Sequence, residues 1–250
     1  MRIENMKIVF IFFLLFCITI AFAQEKNTEV VYKFILVKDS IDNSKMADFI
    51  KKDEYAISKI AYKIKPKLVF NDSVAVFYSD ELLDEDNSHL NQLARVFCYC
   101  EKPVFYSKKD DKIYYNFPEG LPIIEEDYTI YDNLTKNWTL TNETKQIDHY
   151  TCYKATTKFE FPISSTKTIT KNTVAWYCPE LPFSYGPNGY GGLPGLIVEL
   201  QENNVFYGME SIKIKSSTTK VKPIKMHKLK TLFEFYVAIE EGMARYRKNK

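Results

Sequence analysis

The side chains that most often carry chemistry are few in this sequence and do not form an established catalytic pattern. The chain has three histidines, and it contains neither a G-x-S-x-G nor an H-E-x-x-H motif. Asp148, His149 and Cys152 adjoin one another and suggest a cysteine nucleophile with a histidine base, but neighbours one or three apart on a strand point partly to opposite faces. The acidic run 125–127 has enough carboxylates for a glycosidase acid pair, although an exposed acidic turn is the simpler interpretation. We therefore predict no catalytic residues and a non-catalytic protein, with an uncharacterised secreted hydrolase acting on glycans or peptides as the alternative.

Four of the five cysteines lie beyond the first 23 residues: Cys98, Cys100, Cys152 and Cys178. Residues 150–161 and 166–178 have the pattern of two strands of a hairpin, which brings Cys152 opposite Cys178 and makes that pair a possible disulfide. Cys98 and Cys100 point to the same face of a strand, a poor geometry for a local disulfide, so we expect them to stay free. The C-x-C spacing and the scarcity of histidine argue against zinc, and we predict no metal and no cofactor.

The N-terminus has the layout of a secretion signal. Arg2 and Lys7 precede an uncharged run over residues 8–22, which ends in an A-x-A pattern. This run is shorter than the roughly 20 apolar residues of a membrane-spanning helix. We predict that residues 1–23 are cleaved after Ala23 and that residues 24–250 form one domain outside the cytoplasm, in the periplasm or cell envelope or secreted, with no transmembrane span. A lipoprotein signal acylated at Cys17 and a retained membrane anchor are the alternatives.

Composition favours β structure and gives no reason to expect a nucleic acid partner. The chain carries a formal charge of +2, so no global charge drives it toward nucleic acid. Aromatic residues make up 15% of the chain, a content typical of the half-buried surfaces of pleated sheets. We therefore predict a mainly β protein that does not bind nucleic acid.

Short β-type runs follow one another along the chain. Turn residues separate several of them, for example at 110–111 and 203–204, which is how consecutive antiparallel strands are usually joined. The sequence therefore predicts a mainly antiparallel sheet. The alternation of apolar residues over 60–64 predicts one further strand.

Helices are expected at two places. The spacing of apolar residues between 82 and 97 predicts a short helix. A stripe from Leu229 to Met243 has a period near 3.6, and Thr231 with Glu234 forms a capping-box pattern at its start. The chain therefore ends in a C-terminal helix, with one or two short helices elsewhere.

Glycine is concentrated in one segment, because five of the eight glycines fall between Gly186 and Gly195. Such density indicates backbone positions that only glycine adopts freely, or a close approach of the backbone to its surroundings. A phosphate-binding loop is not supported. The G-x-x-x-x-G spacing is not followed by Lys and Ser or Thr, and Pro194 interrupts G-x-G-x-x-G. The segment also leads into a strand and not into a helix, whose N-terminus would bind phosphate. The segment is a specific loop and not a nucleotide site.

Several motifs in this region belong together. Residues 192–197 spell GLPGLI, and C-x-K-A at 152–155 and A-W-Y at 175–177 precede a proline-bounded turn. Over residues 150–200 the chain resembles the GLPGLI family, secreted or envelope proteins of Bacteroidota with little assigned function. Cys178 stands where that family usually has threonine, so a disulfide at this position would be a feature of this chain and not of the family in general.

The resemblance implies a β-rich extracytoplasmic domain with a curved antiparallel sheet, like a bowl or half-barrel. The family is similar to a bowl-like, non-catalytic domain that precedes the catalytic part of a secreted glycan-cleaving enzyme. Its members often lie near TonB-dependent outer-membrane receptors, which suggests an accessory role in uptake.

We therefore predict an exported binding or accessory protein. Its partner is an unknown envelope ligand, lipid, glycan or peptide, or an outer-membrane protein. The family motif and candidate binding loop consist of Trp176, Tyr177, Pro182, Gly186, Pro187, Gly192, Leu193, Pro194, Gly195, Leu196 and Ile197. Packing in the core is the alternative role for Trp176.

Overall fold

The computed structural model of the chain describes residues 26–36, 57–80, 88–117, 120–203 and 205–248. The predicted signal peptide, its cleavage site and Cys17 lie outside these residues. Among the residues described, no helix is both long and apolar enough to cross a membrane.

Within the described residues, twelve strands form one open, mixed sheet. In chain order they are β1 (Asn27–Leu36), β2 (Lys67–Phe70), β3 (Val74–Tyr78), β4 (Val104–Ser107), β5 (Lys112–Asn116), β6 (Tyr128–Asn133), β7 (Thr139–Ile147), β8 (Tyr150–Pro162), β9 (Thr168–Cys178), β10 (Leu196–Glu202), β11 (Val205–Ser217) and β12 (Lys228–Lys230). Their order across the sheet is β12-β6-β5-β4-β3-β2-β1-β11-β10-β9-β8-β7. β12 and β6 are parallel, and the other neighbouring pairs among these strands are antiparallel. The predictions of a mainly β protein and a mainly antiparallel sheet are confirmed.

In the described part of the chain, three helical segments accompany the sheet: α1 (57–61), α2 (Ser88–Phe97) and α3 (Leu232–Lys248). The prediction of a strand over 60–64 is wrong, because the chain is helical through residue 61. Ile57, Ile60 and Ile64 are all buried and recur at helical spacing, whereas Tyr62 is exposed. The apolar residues that alternate in the sequence therefore lie on one face of a helix and on the turn that follows it. The helix predicted over 82–97 is confirmed where α2 lies; residues 81–87 are outside the described part.

α3 begins at the predicted capping box. The Thr231 N–H donates to Glu234 Oε2 at 2.7 Å, and the Glu234 N–H donates to Thr231 Oγ1 at 3.3 Å. Phe235 is buried on the inner face of the helix. A Cβ on Gly242 would lie 1.7 Å from the carbonyl oxygen of Ile123, so the absence of a side chain lets the helix lie directly on that loop. The prediction of a C-terminal helix is confirmed.

The sheet curves until its two ends approach each other. β6 and β8 occupy the second and eleventh positions in the sheet, nine spacings apart, which in a flat sheet would be about 43 Å at ~4.8 Å per spacing. Phe161 of β8 nevertheless packs against the hydrophobic cluster formed by Tyr128, Ile130, Leu232 and Phe235. α3 therefore bridges the two ends of a curved sheet, and the prediction of curvature agrees with this packing.

The two edge strands are protected in different ways. β12 is three residues long and carries Lys228 and Lys230. β7, at the other edge, is polar along most of its length, and its pairing with β8 is irregular between Leu140 and Thr144. Neither edge offers a long, regular, apolar strand.

Candidate functional site

A cavity of about 770 Å³ lies between α3, the β8–β9 hairpin and the end of α2. Its volume falls within the roughly 300–1,000 Å³ range of small-molecule sites. Most of its wall is apolar, and we call it the apolar cavity. Its aromatic lining residues are Tyr99, Tyr115, Phe117, Phe159, Phe161, Tyr190, Phe235 and Tyr236.

Apolar side chains remain exposed at the rim of the apolar cavity. Val96, Tyr99, Ile163 and Ile169 line it, and each leaves 40–46% of its surface accessible to water. Scattered exposed apolar residues are ordinary on a protein surface, whereas a group of them around one opening makes it a candidate binding surface.

The tip of the β8–β9 hairpin is tied to α3 by a polar contact. The Ser165 N–H donates to Glu240 Oε1 at 3.3 Å, and the Ser165 hydroxyl donates to Glu240 Oε2. The turn itself closes with a 2.9 Å hydrogen bond from the Ile163 N–H to the Lys167 carbonyl. The predicted hairpin is confirmed, and its tip forms one wall of the cavity.

A buried ion pair lies in the cavity wall. Lys171 Nζ donates to Glu202 Oε1, and the two side chains are 9% and 2% exposed. Glu202 Oε2 accepts from the Tyr190 hydroxyl, which also lies 3.1 Å from Thr173 Oγ1. The Lys171 ammonium lies 4.0 Å from the centre of the Phe161 ring.

Protonation of the tyrosines next to this pair follows from their surroundings. Burial, together with the neighbouring Glu202 carboxylate, raises the pKa of Tyr190. The same two causes raise the pKa of Tyr99. Tyr190 is therefore a neutral hydroxyl that donates to Glu202 at neutral pH.

Sequence reasoning missed Lys171 and Glu202, although a signal was present. Lys171 continues the period-two series of inward residues that runs back from Tyr177, and Glu202 ends the corresponding series of β10. Glu202 pairs with Thr173 across β9 and β10, which places it diagonal to Lys171. Opposite charges on the inward face of neighbouring strands indicate a buried ion pair.

The glycine-rich segment, residues 186–197, is mostly buried and is held by tyrosine hydroxyls from the opposite strands. The Tyr106 hydroxyl accepts from the Gly189 N–H at 2.7 Å and donates to the Gly186 carbonyl at 2.8 Å. The Tyr32 hydroxyl donates to the Ile197 carbonyl at 2.8 Å. Burial raises the pKa of both tyrosines, so they remain protonated donors.

Close packing limits what the motif can expose. A Cβ on Gly195 would lie 2.2 Å from the Cys178 carbonyl oxygen, and one on Gly186 would lie 2.7 Å from Ile197 Cβ. The Trp138 Nε1–H donates to the Gly191 carbonyl at 2.8 Å, which fixes the middle of the segment. These glycines therefore serve close packing.

The predicted motif residues fall into three groups. Trp176 and Gly192 are half-buried, and Pro182 and Pro194 are exposed. The buried ones are Gly186, Pro187, Leu193, Gly195, Leu196, Ile197 and Tyr177. None of them lines the apolar cavity among the described residues; their neighbours 188–190 do. Tyr177 instead borders a smaller depression beside Tyr153, whose ring centre is 6.0 Å away. A direct binding role for the motif stays a prediction.

Tyr99 at the cavity rim has an uncommon backbone conformation. It ends α2 with a φ of 49°, while the Cys100 N–H donates to the Arg95 carbonyl and the Tyr99 N–H to the Val96 carbonyl. This is a Schellman motif, in which glycine usually occupies the left-handed position. The motif also brings Cys98 and Cys100 together, and the hydrogen bond between their thiols lowers the pKa of Cys100.

The four described cysteines are buried and free, so the possible disulfide between Cys152 and Cys178 is absent from this structure. The pairing that suggested it is nevertheless present: Tyr153 pairs with Tyr177, which places the next residues outward opposite each other. Cys98 and Cys100 follow the end of α2 and do not share one face of a strand as expected.

The residues considered for catalysis do not converge. Burial raises the pKa of Cys152 to about 12, so its thiol is protonated at neutral pH, and the His149 ring instead packs at a tilt against Tyr150 with ring centres 4.0 Å apart. In the acidic run, Glu126 binds Lys228 at 2.6 Å and Glu125 pairs with Arg245 at 3.4 Å on the surface. Among the described residues, no three His, Cys, Asp or Glu side chains form a metal-binding group.

Comparison with protein-family models finds a match for one short part of the chain. Residues 163–199, which cover β9 and the glycine-rich segment, match the model of a family described as a protein of unknown function (Porph_ging). No curated protein matches the sequence.

Two solved structures of PNGF-II resemble the fold over 87% of this chain. They belong to space groups C2 and P21, share 14% and 13% sequence identity with it, and both give a TM-score of 0.47. This chain spans about a third of the length of those solved chains, 33% and 34%.

Substituting Gly195→Ala is expected to destabilise the protein by about 1–3 kcal/mol, because the new Cβ meets backbone that cannot move aside. Gly208→Ala is the matched control, since its Cβ would first meet the flexible end of Lys33. Urea unfolding of both variants measures the difference. Equal losses would show that backbone contact is not the reason for glycine at position 195.

Removing one member of the buried ion pair should cost more than removing both. We expect Lys171→Met to lose about 3–5 kcal/mol, because Glu202 is left buried without its counter-charge, and Lys171→Met/Glu202→Leu to regain most of that loss. A double-mutant cycle by chemical denaturation checks this. Additive losses would contradict the coupling.

Cys152 and Cys178 should form a disulfide when a disulfide donor such as oxidised glutathione is supplied. Opposite residues of antiparallel strands have Cα atoms about 4.5–5.5 Å apart, within the range that disulfides span. Mass spectrometry should find a loss of two hydrogens and a peptide linking the two positions, and Cys152→Ser should abolish both. A link between Cys98 and Cys100 instead would count against this pairing.

Proposed function

We propose that this protein is an exported, non-catalytic envelope protein that binds an apolar ligand in the apolar cavity. The observation that carries the proposal is the coincidence of a space of about 770 Å³, a mostly apolar wall with eight aromatic side chains and an exposed apolar rim. Sites for small molecules commonly combine an apolar lining with a few fixed polar groups. Each methylene of a ligand buried there contributes about 0.8 kcal/mol, so the chain of the ligand supplies most of its affinity.

The proposed location and family rest on the sequence. The signal-like layout of residues 1–23 supports export, and the motifs between 152 and 197 support membership of the GLPGLI family. Residues 163–199 match the model of a family of unknown function, which supports the view that this region belongs to a distinct type of domain. An apolar compound needs a protein to shield it from water, so an accessory role in TonB-dependent uptake, beside an outer-membrane partner, is consistent with a carrier.

Native mass spectrometry of the protein purified gently from its own envelope tests the proposal. We expect a mature chain that begins at Gln24 and carries a small-molecule adduct. The substitution Ile169→Glu places a charge at the cavity rim and should lower the ratio of adduct to ligand-free protein by about tenfold, equivalent to ~1.4 kcal/mol. Ile214→Glu is the matched control, because Ile214 is also an exposed strand isoleucine, 46% against 40%, but lies outside the cavity.

The spectra also define the opposing result. A clean mass for the unmodified chain would remove the carrier function and favour a protein partner. An adduct that survives equally in both variants would place the ligand elsewhere on the molecule.

A further inference from the structure

We propose that the ligand is an uncharged amphiphile: a long apolar chain bearing a carbonyl or hydroxyl oxygen that accepts a hydrogen bond from Lys171. This inference rests on the proposed function and names the ligand class of the same cavity. It follows from what the buried ion pair leaves available to a ligand.

Glu202 is buried and already paired, which leaves it poorly placed to recognise a cationic head group. Its Oε1 accepts from Lys171 and its Oε2 accepts from the Tyr190 hydroxyl. At 2% exposed, its carboxylate has no solvated side from which a ligand ammonium can approach. A cation would have to displace Lys171, which is covalently tethered beside it.

Lys171 is the group that can donate to a ligand. An ammonium has three N–H donors, and among the described residues its hydrogen-bond partner is Glu202. The ammonium nitrogen also lies over the rings of Phe161 and Tyr99, 4.0 and 5.3 Å from their centres, and both rings line the cavity. An oxygen acceptor entering between these rings completes the coordination of the ammonium.

The cavity lining carries no net charge that would favour an ionic ligand. Its charged lining residues are Glu101, Lys102, Asp132, Lys136, Lys171 and Glu202, three acids and three lysines. Lys136 is itself held by Asp132 at 2.7 Å. A carboxylate placed at Lys171 would share one cation with Glu202 and remain uncompensated in an apolar site, which is costly.

Displacement of a neutral fluorescent probe, N-phenyl-1-naphthylamine, tests the inference. Four competitors share one chain and differ in the head group: dodecanol, methyl dodecanoate, dodecanoate and dodecyltrimethylammonium. We expect the two neutral compounds to displace the probe at concentrations about tenfold lower than the two ions, because neither ion finds a partner. Equal or stronger competition by either ion would overturn the inference.

A surface variant tests the charge balance without disturbing the buried pair. Asp132→Asn leaves the lining with one excess positive charge and should improve displacement by dodecanoate several-fold. Asp80→Asn is the matched control, because Asp80 also pairs with a lysine on the surface, 61% exposed against 53%, but lies outside the cavity. Unchanged competition by dodecanoate in Asp132→Asn would show that charge balance does not select the ligand.

The two proposals fail in different ways. If the probe does not bind the protein, or binds Ile169→Glu as well as wild type, the cavity is not the ligand site and the proposed function falls. If the probe binds the cavity but the ions compete as well as the alcohol, only the uncharged ligand class is rejected.

Discussion

The fold depends on the need to pair every polar backbone group of a segment that runs through the protein interior. A strand satisfies such groups through its neighbours, but the glycine-rich segment is irregular and buried. Tyr32, Tyr106 and Trp138 supply the missing partners from β1, β4 and the residues before β7. Strands from distant parts of the sheet are thereby fixed around one segment, which keeps the sheet curved.

The same segment connects the core to the apolar cavity. Tyr190 follows Gly189 and carries its hydroxyl to Glu202, so a residue of the buried segment orients the ion pair in the cavity wall. Gly195 packs against the backbone of Cys178 and Gly186 against the side chain of Ile197, while residues 188–190 line the open space. The segment thus supports the cavity from behind, and β9 and β10 supply the ion pair in its wall.

How much the sequence predicts depends on the range of the interaction involved. Local patterns were sufficient for the β8–β9 hairpin and for α3, whose capping box involves residues three apart. The strand predicted over 60–64 failed because apolar residues at 57, 60 and 64 fit a helix as well as alternation does. The apolar cavity was not predictable, since Phe161 and Phe235 meet only after a twelve-stranded sheet has curved. The period-two pattern of β9 was sufficient to place Lys171 on the inward face. Its role in an ion pair could be seen only once Glu202 was known to lie on the neighbouring strand.

The treatment of the two sheet edges has a consequence for the behaviour of the protein in a crowded compartment. An open sheet of this size would extend readily into a second copy if either edge presented a regular ladder of unpaired amides. Neither edge presents such a ladder, because β12 is short and carries two lysines and the pairing of β7 is irregular. The molecule can therefore expose the apolar rim of its cavity without also offering a strand on which neighbouring copies would polymerise.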